Sequence, residues 1–328
     1  AIRPVLPVAT TSTVGIFASG QALESLIMHL LADRLPEARK TGEDMLVEAR
    51  KVNAAFLERA DKPDRGGAWI AYQANKHAAV KQLAQKFLPD NHAGATEPVQ
   101  LTSVWPRNEL DLVADMLYEH SNLPLDQIQK KVASWPYDKK AQVFEAYIGE
   151  RLNRRHKPGR ALEKAHYSWD LVCDYGVFRE LQRHRMVDDL EWQELTPRYG
   201  YDMPKLVEKA GLTDAFEQCF DISLKLHSLL QSNGYILEAQ YATLLGHNMR
   251  WKVTYNAREA FHLHELRTTP QAHPNARKLM KQMHEKLTEV HPLLGEAMKF
   301  VNQGEDPELT RLAAERYTQF KLQQLDQQ

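Results

Sequence analysis

The chain has 328 residues, 43% of them hydrophobic, which is enough to bury a full core in one large domain or two modest ones and excludes disordered and fibrous classes. Its 42 basic and 43 acidic side chains leave a formal charge of −1. That balance excludes a general nucleic-acid or membrane surface, so any anion site must be local.

Near the N-terminus, Phe17-Ala18-Ser19-Gly20 is too short for a phosphate-cradling glycine loop and lacks its G-x-G-x-x-G spacing. Ala49-Arg50 is followed nine positions later by Arg59, a spacing met again at Ala257-Arg258 and Arg267. An internal repeat is one reading of this recurrence, and chance is the other, since Ala and Arg recur on helices. The Pro-, Gly- and His-containing stretch 88–98 reads as a linker and the clearest boundary. Alternation of apolar and polar residues predicts strands over 99–105, 167–172 and 249–255, the last placing Met249, Trp251, Val253 and Tyr255 on one face. Helical spacing predicts amphipathic helices over 109–119 and 139–153, and another that Asp306 caps and Pro307 opens near the C-terminus. A further helix runs from an N-cap at Thr213, through Phe216, Cys219, Phe220, Ser223, Leu226 and Leu230 as its core face, to a stop at Asn233-Gly234.

The segment 178–199, F-R-E-L-Q-R-H-R-M-V-D-D-L-E-W-Q-E-L-T-P-R-Y, packs four arginines, a histidine and a hydroxyl onto an expected helix-to-loop stretch suited to anions. On a helix, Arg183, His184 and Arg185 would spread over about 200° and could not form one solvated face. Thr196 and Arg198 add a hydroxyl and a planar guanidinium fork that grips phosphate or carboxylate at two points. The bland alternative is an ion-paired surface helix, because Asp188, Asp189, Glu191 and Glu194 lie close by. His262 and His264 resemble a metal tract, yet on a helix they point about 200° apart, so no metal site is expected. His227, His247 and His284 read as ordinary polar or half-buried residues. Cys173 and Cys219 match no metal spacing and read as buried thiols in a reducing compartment. No apolar run approaches the roughly 18 to 20 residues that span a bilayer, and no signal-peptide pattern opens the chain, so a cytoplasmic protein is expected.

Arg183-His184-Arg185 and then Gln193-Glu194-Leu195-Thr196-Pro197-Arg198-Tyr199 resemble the signature of the flavin-dependent thymidylate synthases, R-H-R, a spacer and an N/Q-E-x-S-x-R-Y element. Here the spacer is three residues longer and threonine replaces serine. Asn256-Ala257-Arg258 with Glu265-Leu266-Arg267 resembles the family's N-A-R helix. Residues 156–163 and Tyr167-Ser168-Trp169-Asp170 resemble a loosened H-x-S-x-x-E-H segment and its following strand. In family order these matches run over 99–301.

The resemblance implies an α+β fold, helix-rich, with an antiparallel sheet covered by helices on one side, which the mixture of predicted elements also suggests. It implies FAD-dependent reductive methylation of dUMP to dTMP, with methylenetetrahydrofolate and NADPH as co-substrates and sites built between subunits of a homo-oligomer. Arg267 would hold the uracil oxygen or stabilise charge on the ring, as the catalytic residue. Gln182, Glu194, Thr196, Arg198 and Gln240 would bind the nucleotide. Arg183, His184, Arg185, Glu163, Asn256 and Arg258 would contact the flavin or support that contact. In the same terms, residues 1–90 would be a degenerate partial copy beginning at Thr11-Ser12-Thr13-Val14-Gly15, and 91–328 the fuller domain.

Three departures accompany these matches. Gln240, a neutral amide, stands where the family supplies another phosphate-binding arginine. The longer spacer adds Asp188 and Asp189, whose charges would oppose a phosphate if they faced it. After Arg267 the family's A-Q-x-E run becomes Ala272-His273-Pro274-Asn275 and loses a carboxylate. The alternatives are therefore an altered or inactive paralogue that keeps flavin or nucleotide binding, and methylation of a different pyrimidine.

Overall fold

The computed structural model describes residues 2–88, 97–304 and 310–326. The chain forms two compact units, one of residues 1–8, 97–229 and 239–328, the other of residues 9–96 and 230–238.

The smaller unit holds α1 (Gly20–Leu31), α2 (Pro36–Leu57) and α3 (Gly66–Phe87) and, among the described residues, no strand. Ser19 caps α1 through the Ala22 amide, and Pro36 opens α2 with its φ already set for a helix. Gly42 lets α1 and α2 approach closely, since a Cβ there would sit 2.9 Å from that of Leu30. Ile27, Leu46, Leu57 and Ala60 form the core of this unit. Arg59 donates to Glu24 at 2.9 Å. It lies past the end of α2, which is itself kinked at Asn53. The partial-copy reading of 1–90 stays a proposal, tested by superposing these helices on the second segment in order.

The larger unit contains β1 (Val99–Trp105), α4 (Val113–Tyr118), α5 (Leu125–Ala133), α6 (Tyr137–Ile148), β2 (His166–Asp174), α7 (Tyr175–Leu181), β3 (Asp189–Trp192) and α8 (Lys205–Lys209). After these come α9 (Thr213–Ser232), whose last turn belongs to the other unit, β4 (Asn248–Asn256), α10 (Ala257–Arg267), α11 (Pro274–Val290), α12 (Pro292–Ala297) and α13 (Thr310–Asp326). The sheet is antiparallel throughout, in the order β1-β2-β4-β3. Tyr167, Trp169, Leu171 and Cys173 of β2 and Met249, Trp251, Val253 and Tyr255 of β4 turn to the buried face. Phe261, Leu279, Met280 and Met283 of α10 and α11 join them in one core, so the fold is the expected helix-rich α+β type. On the other face, Arg250 pairs with Asp170 at 2.9 Å and Thr254 donates to Ser168 at 2.9 Å. Among the described residues no helix is long and apolar enough to cross a membrane.

Several local expectations change. Arg183-His184-Arg185 is not helical, because α7 ends at Leu181 and Gln182 is its C-cap. The longer spacer carries a strand, β3, so the segment is not simply helix to loop. Asp188 pairs with His166, and Asp189 lies near Lys252, so both carboxylates have partners on the sheet. The helix expected over 139–153 stops at Ile148, where Gly149 takes a left-handed φ of 65°. On α9 the buried face is Phe216, Phe220, Ser223 and His227, while Leu226 is exposed and Cys219 only partly buried. His227, His247 and His284 are all buried rather than half-buried. The expected cap at Asp306 and Pro307 lies outside the described residues, as does most of the 88–98 linker.

These imidazoles make the fold acid-sensitive. Burial lowers the pKa of His227, His264, His284 and His291, and pushes that of His247 down to about 4. A depressed imidazole pKa means that the unfolded chain binds the proton first, so stability present at pH 7 falls as pH drops below roughly 6.5. Each imidazole still neutral in the fold loses about 1.4 kcal/mol per pH unit. Glu109 and Asp174, whose pKa values burial raises, act with the opposite sign at lower pH, which leaves the clearest window between about 6.5 and 5. Melting temperatures at pH 7.5, 6.5 and 5.5 should fall steadily; a flat or rising series would contradict this.

Candidate functional site

Asn256 accepts from the Glu259 amide at 2.9 Å and so starts α10 directly after β4. That register places Glu259, His262, Leu266 and Arg267 along one side of α10, with spacings that keep them on neighbouring turns. Facing them, the chain leaving α7 brings Arg183, His184, Arg185 and Met186, and Lys157 comes from the loop before β2. Together these residues line a cavity of about 380 Å³.

Arg267 is held at three points. Its Nε donates to His184 Nε2 at 2.9 Å, Nη1 to Glu180 Oε1 at 2.8 Å and Nη2 to the Glu180 carbonyl at 3.0 Å. The other ring nitrogen of His184 meets Glu259 Oε1 at 2.8 Å, with both side chains buried. Lys157, Arg183 and Arg185 have no hydrogen-bond or ion-pair partner for their side chains among the described residues. A group of cations without counter-ions around one concave surface suits an anion. His262 has a lowered pKa, first through burial and then through the nearby charges of Lys157 and Arg154, against the pull of Glu259.

His184, Glu259 and His262 also offer ligand atoms within 4.8 Å of one another. Two physical facts favour an anion there over a cation. Both nitrogens of His184 are already engaged, and Arg267 with the three unpaired cations surrounds the set. His264, expected to point away from His262, is fully buried and joined to the Tyr255 hydroxyl at 2.8 Å.

The remaining site residues fall into two groups outside this lining. Glu163 receives hydrogen bonds from Arg160 and Arg258, and Arg258 also donates to the Pro158 carbonyl at 3.1 Å. They fasten the segment before β2 to α10. The second group sits after β3. Gln240 accepts from the Leu195 amide at 2.9 Å, and Thr196 accepts from the Arg198 amide at 3.3 Å. Glu194 and Arg198 are exposed there, and Arg198 adds its charge to the burial that lowers the His227 pKa. None of Gln182, Glu194, Thr196, Arg198 and Gln240 lines the cavity.

Sequence reasoning missed Lys157, Glu180, Glu259 and His262 as parts of this site. The signal for two of them was present, since Glu259 and His262 are three positions apart and share a helix face with Arg267's turn. Glu180 and Lys157 carried none, because only the tertiary fold brings them to Arg267 and the cavity.

The family model described as thymidylate synthase complementing protein matches residues 100–293. A UPF0159 protein of Chlamydia muridarum is 30% identical over 318 residues, which cover 96% of this chain and 59% of that protein. One from Chlamydia pneumoniae is 29% identical over 315 residues, with coverages of 96% and 59%. One from Thermoplasma acidophilum is 28% identical over 315 residues, with coverages of 95% and 61%. The chain thus spans about three fifths of the length of the curated relatives it matches. Among solved structures, a UMP/dUMP methylase PolB from Streptomyces cacaoi, bound with 5-Br dUMP, is 16% identical with a TM-score of 0.48. That likeness covers 61% of this chain and 93% of that one.

Proposed function

Since the chain belongs to the thymidylate synthase complementing protein family, we propose that it binds a pyrimidine nucleotide and methylates deoxyuridylate reductively to thymidylate, using FAD, methylenetetrahydrofolate and NADPH. The observation that carries this reading is the cavity beside α10, where Lys157, Arg183 and Arg185 lack partners among the described residues and Arg267 is fixed in place.

The donor set fits the diphosphate of a dinucleotide: three unpaired cations surround a concavity whose walls also include His184 and His262. Lys157, Arg183 and Arg185 would hold that group, with Asn256, Glu163 and Arg258 fixing the backbone around it. Flavin bound there would supply the hydride. Arg267, the proposed catalytic residue, keeps one N–H on each terminal nitrogen beyond those given to Glu180, and these would meet a ring oxygen as negative charge develops there. Thr196 and Arg198 would take the nucleotide phosphate, with Gln182, Glu194 and Gln240 lining the nucleotide pocket around it. In a homo-oligomer the second group of one copy would complete the cavity of another.

A second reading has one observation in its favour. Gln240 is neutral and its carbonyl oxygen already serves the Leu195 amide. This suits a different pyrimidine or a paralogue that binds without turnover. The first measurement is the visible spectrum of the purified protein, followed by titration with deoxyuridylate. Flavin bands that shift with the nucleotide, together with tritium release from 5-tritiated deoxyuridylate, support the synthase reading. Bands that ignore the nucleotide support another substrate, and a colourless protein that takes up no FAD overturns flavin dependence.

A further inference from the structure

A guanidinium is always protonated and cannot accept a hydrogen bond, so the 2.9 Å contact from Arg267 Nε requires a bare lone pair on His184 Nε2. The neutral ring then carries its one proton on Nδ1, where it donates to Glu259 Oε1 at 2.8 Å. The opposite tautomer, or the imidazolium, would set an N–H of His184 against the N–H of Arg267. The Glu259 carboxylate reinforces this choice from the other side of the ring, because it accepts only from a protonated Nδ1. Its own place is fixed by the Asn256 cap, which holds the Glu259 amide at 2.9 Å.

We propose that Glu259 is a positioning residue for Arg267, acting through the tautomer of His184. Glu180 grips the guanidinium from the far side through Nη1 and Nη2, so the two carboxylates and the imidazole leave Arg267 one orientation. Removing Glu259 leaves the Arg267 N–H as the one hydrogen bond holding the ring among the described residues, so the imidazole can turn or reverse its tautomer and release the guanidinium from that orientation. Misplacing a group that touches the reacting ring costs on the order of 10² in rate. The proposal rests on the reading of Arg267 as the residue that faces the pyrimidine.

The test compares wild type with Glu259→Gln and Glu259→Leu, using histidine labelled with ¹⁵N and His184 assigned by a His184→Gln variant. Wild type should show His184 protonated at Nδ1 and bare at Nε2. Glu259→Gln should keep that pattern, because its amide oxygen still accepts from Nδ1. Glu259→Leu should lose it. With deoxyuridylate, Glu259→Leu should lower kcat about 10²-fold and leave KM within about threefold, with Glu259→Gln recovering most of the loss. Wild-type His184 protonated at Nε2, or a tautomer unchanged in Glu259→Leu, overturns the proposal. If Glu259→Leu does not fold, the wild-type and Glu259→Gln spectra still decide the tautomer assignment. A wild type without turnover on deoxyuridylate sinks the substrate reading alone, since the tautomer is read without substrate.

Discussion

Arg267→Lys should lower turnover of deoxyuridylate by about 10² to 10³-fold while the chain stays folded. Lysine keeps the charge but offers a point donor on a flexible stem, where arginine offers a planar fork. The wild-type side chain uses three nitrogens at once, toward His184, the Glu180 carboxylate and the Glu180 carbonyl, and no ammonium can span all three while facing a ligand. The loss should fall on kcat more than on KM, because the stabilised charge exists mainly in the transition state. Tritium release from 5-tritiated deoxyuridylate measures it. A lysine variant that keeps more than about a tenth of the wild-type rate would remove Arg267 from the catalytic role. Arg183→Ala should behave differently, weakening anion binding in a salt-dependent way, because that side chain stands at the cavity without a described partner.

The sheet was legible because its inner strands bury one face. A period of two then fixes every side chain, and Met249, Trp251, Val253 and Tyr255 are buried as the alternation requires. β3 was not legible for the converse reason. It is four residues long and pairs with β4 at the sheet edge, and although Leu190 and Trp192 alternate with Asp189 and Glu191, two apolar residues, one of them exposed, are too short a pattern to mark a strand. The anion-rich segment could be recognised from Arg183-His184-Arg185, but its geometry could not. His184 takes its meaning from Glu259 and Arg267, 75 and 83 positions away, and only the packing of α10 beside the end of α7 joins them. Likewise, no local pattern assigns residues 230–238 to the unit formed by 9–96, since their neighbours in sequence belong to the other unit.

Glu265→Leu should destabilise the protein by about 3 to 5 kcal/mol, the cost of leaving a buried charge without its partner. Arg151 meets Glu265 through two parallel bonds of 2.6 and 2.7 Å, and the two side chains are 2% and 1% exposed. Arg151 also lies over the rings of Phe261 and Phe300, which adds apolar surroundings to an ion that water can no longer reach. Denaturant unfolding of the single variant gives the cost directly, and a change below about 1 kcal/mol would show that the pair is not desolvated as its burial indicates. The double variant Arg151→Met/Glu265→Leu separates stability from function. Filling the space with apolar side chains should restore most of the stability, since replacing both partners removes the desolvation penalty along with the attraction. It should not restore the site. Arg151 also donates to the carbonyls of His156 and Ala297, which pins the loop that carries Lys157 to the cavity. Pyrophosphate binding should therefore stay weaker in the stable double variant than in wild type. Recovery of both properties together would instead mean that the loop is held by its remaining contacts and that the ion pair serves stability alone.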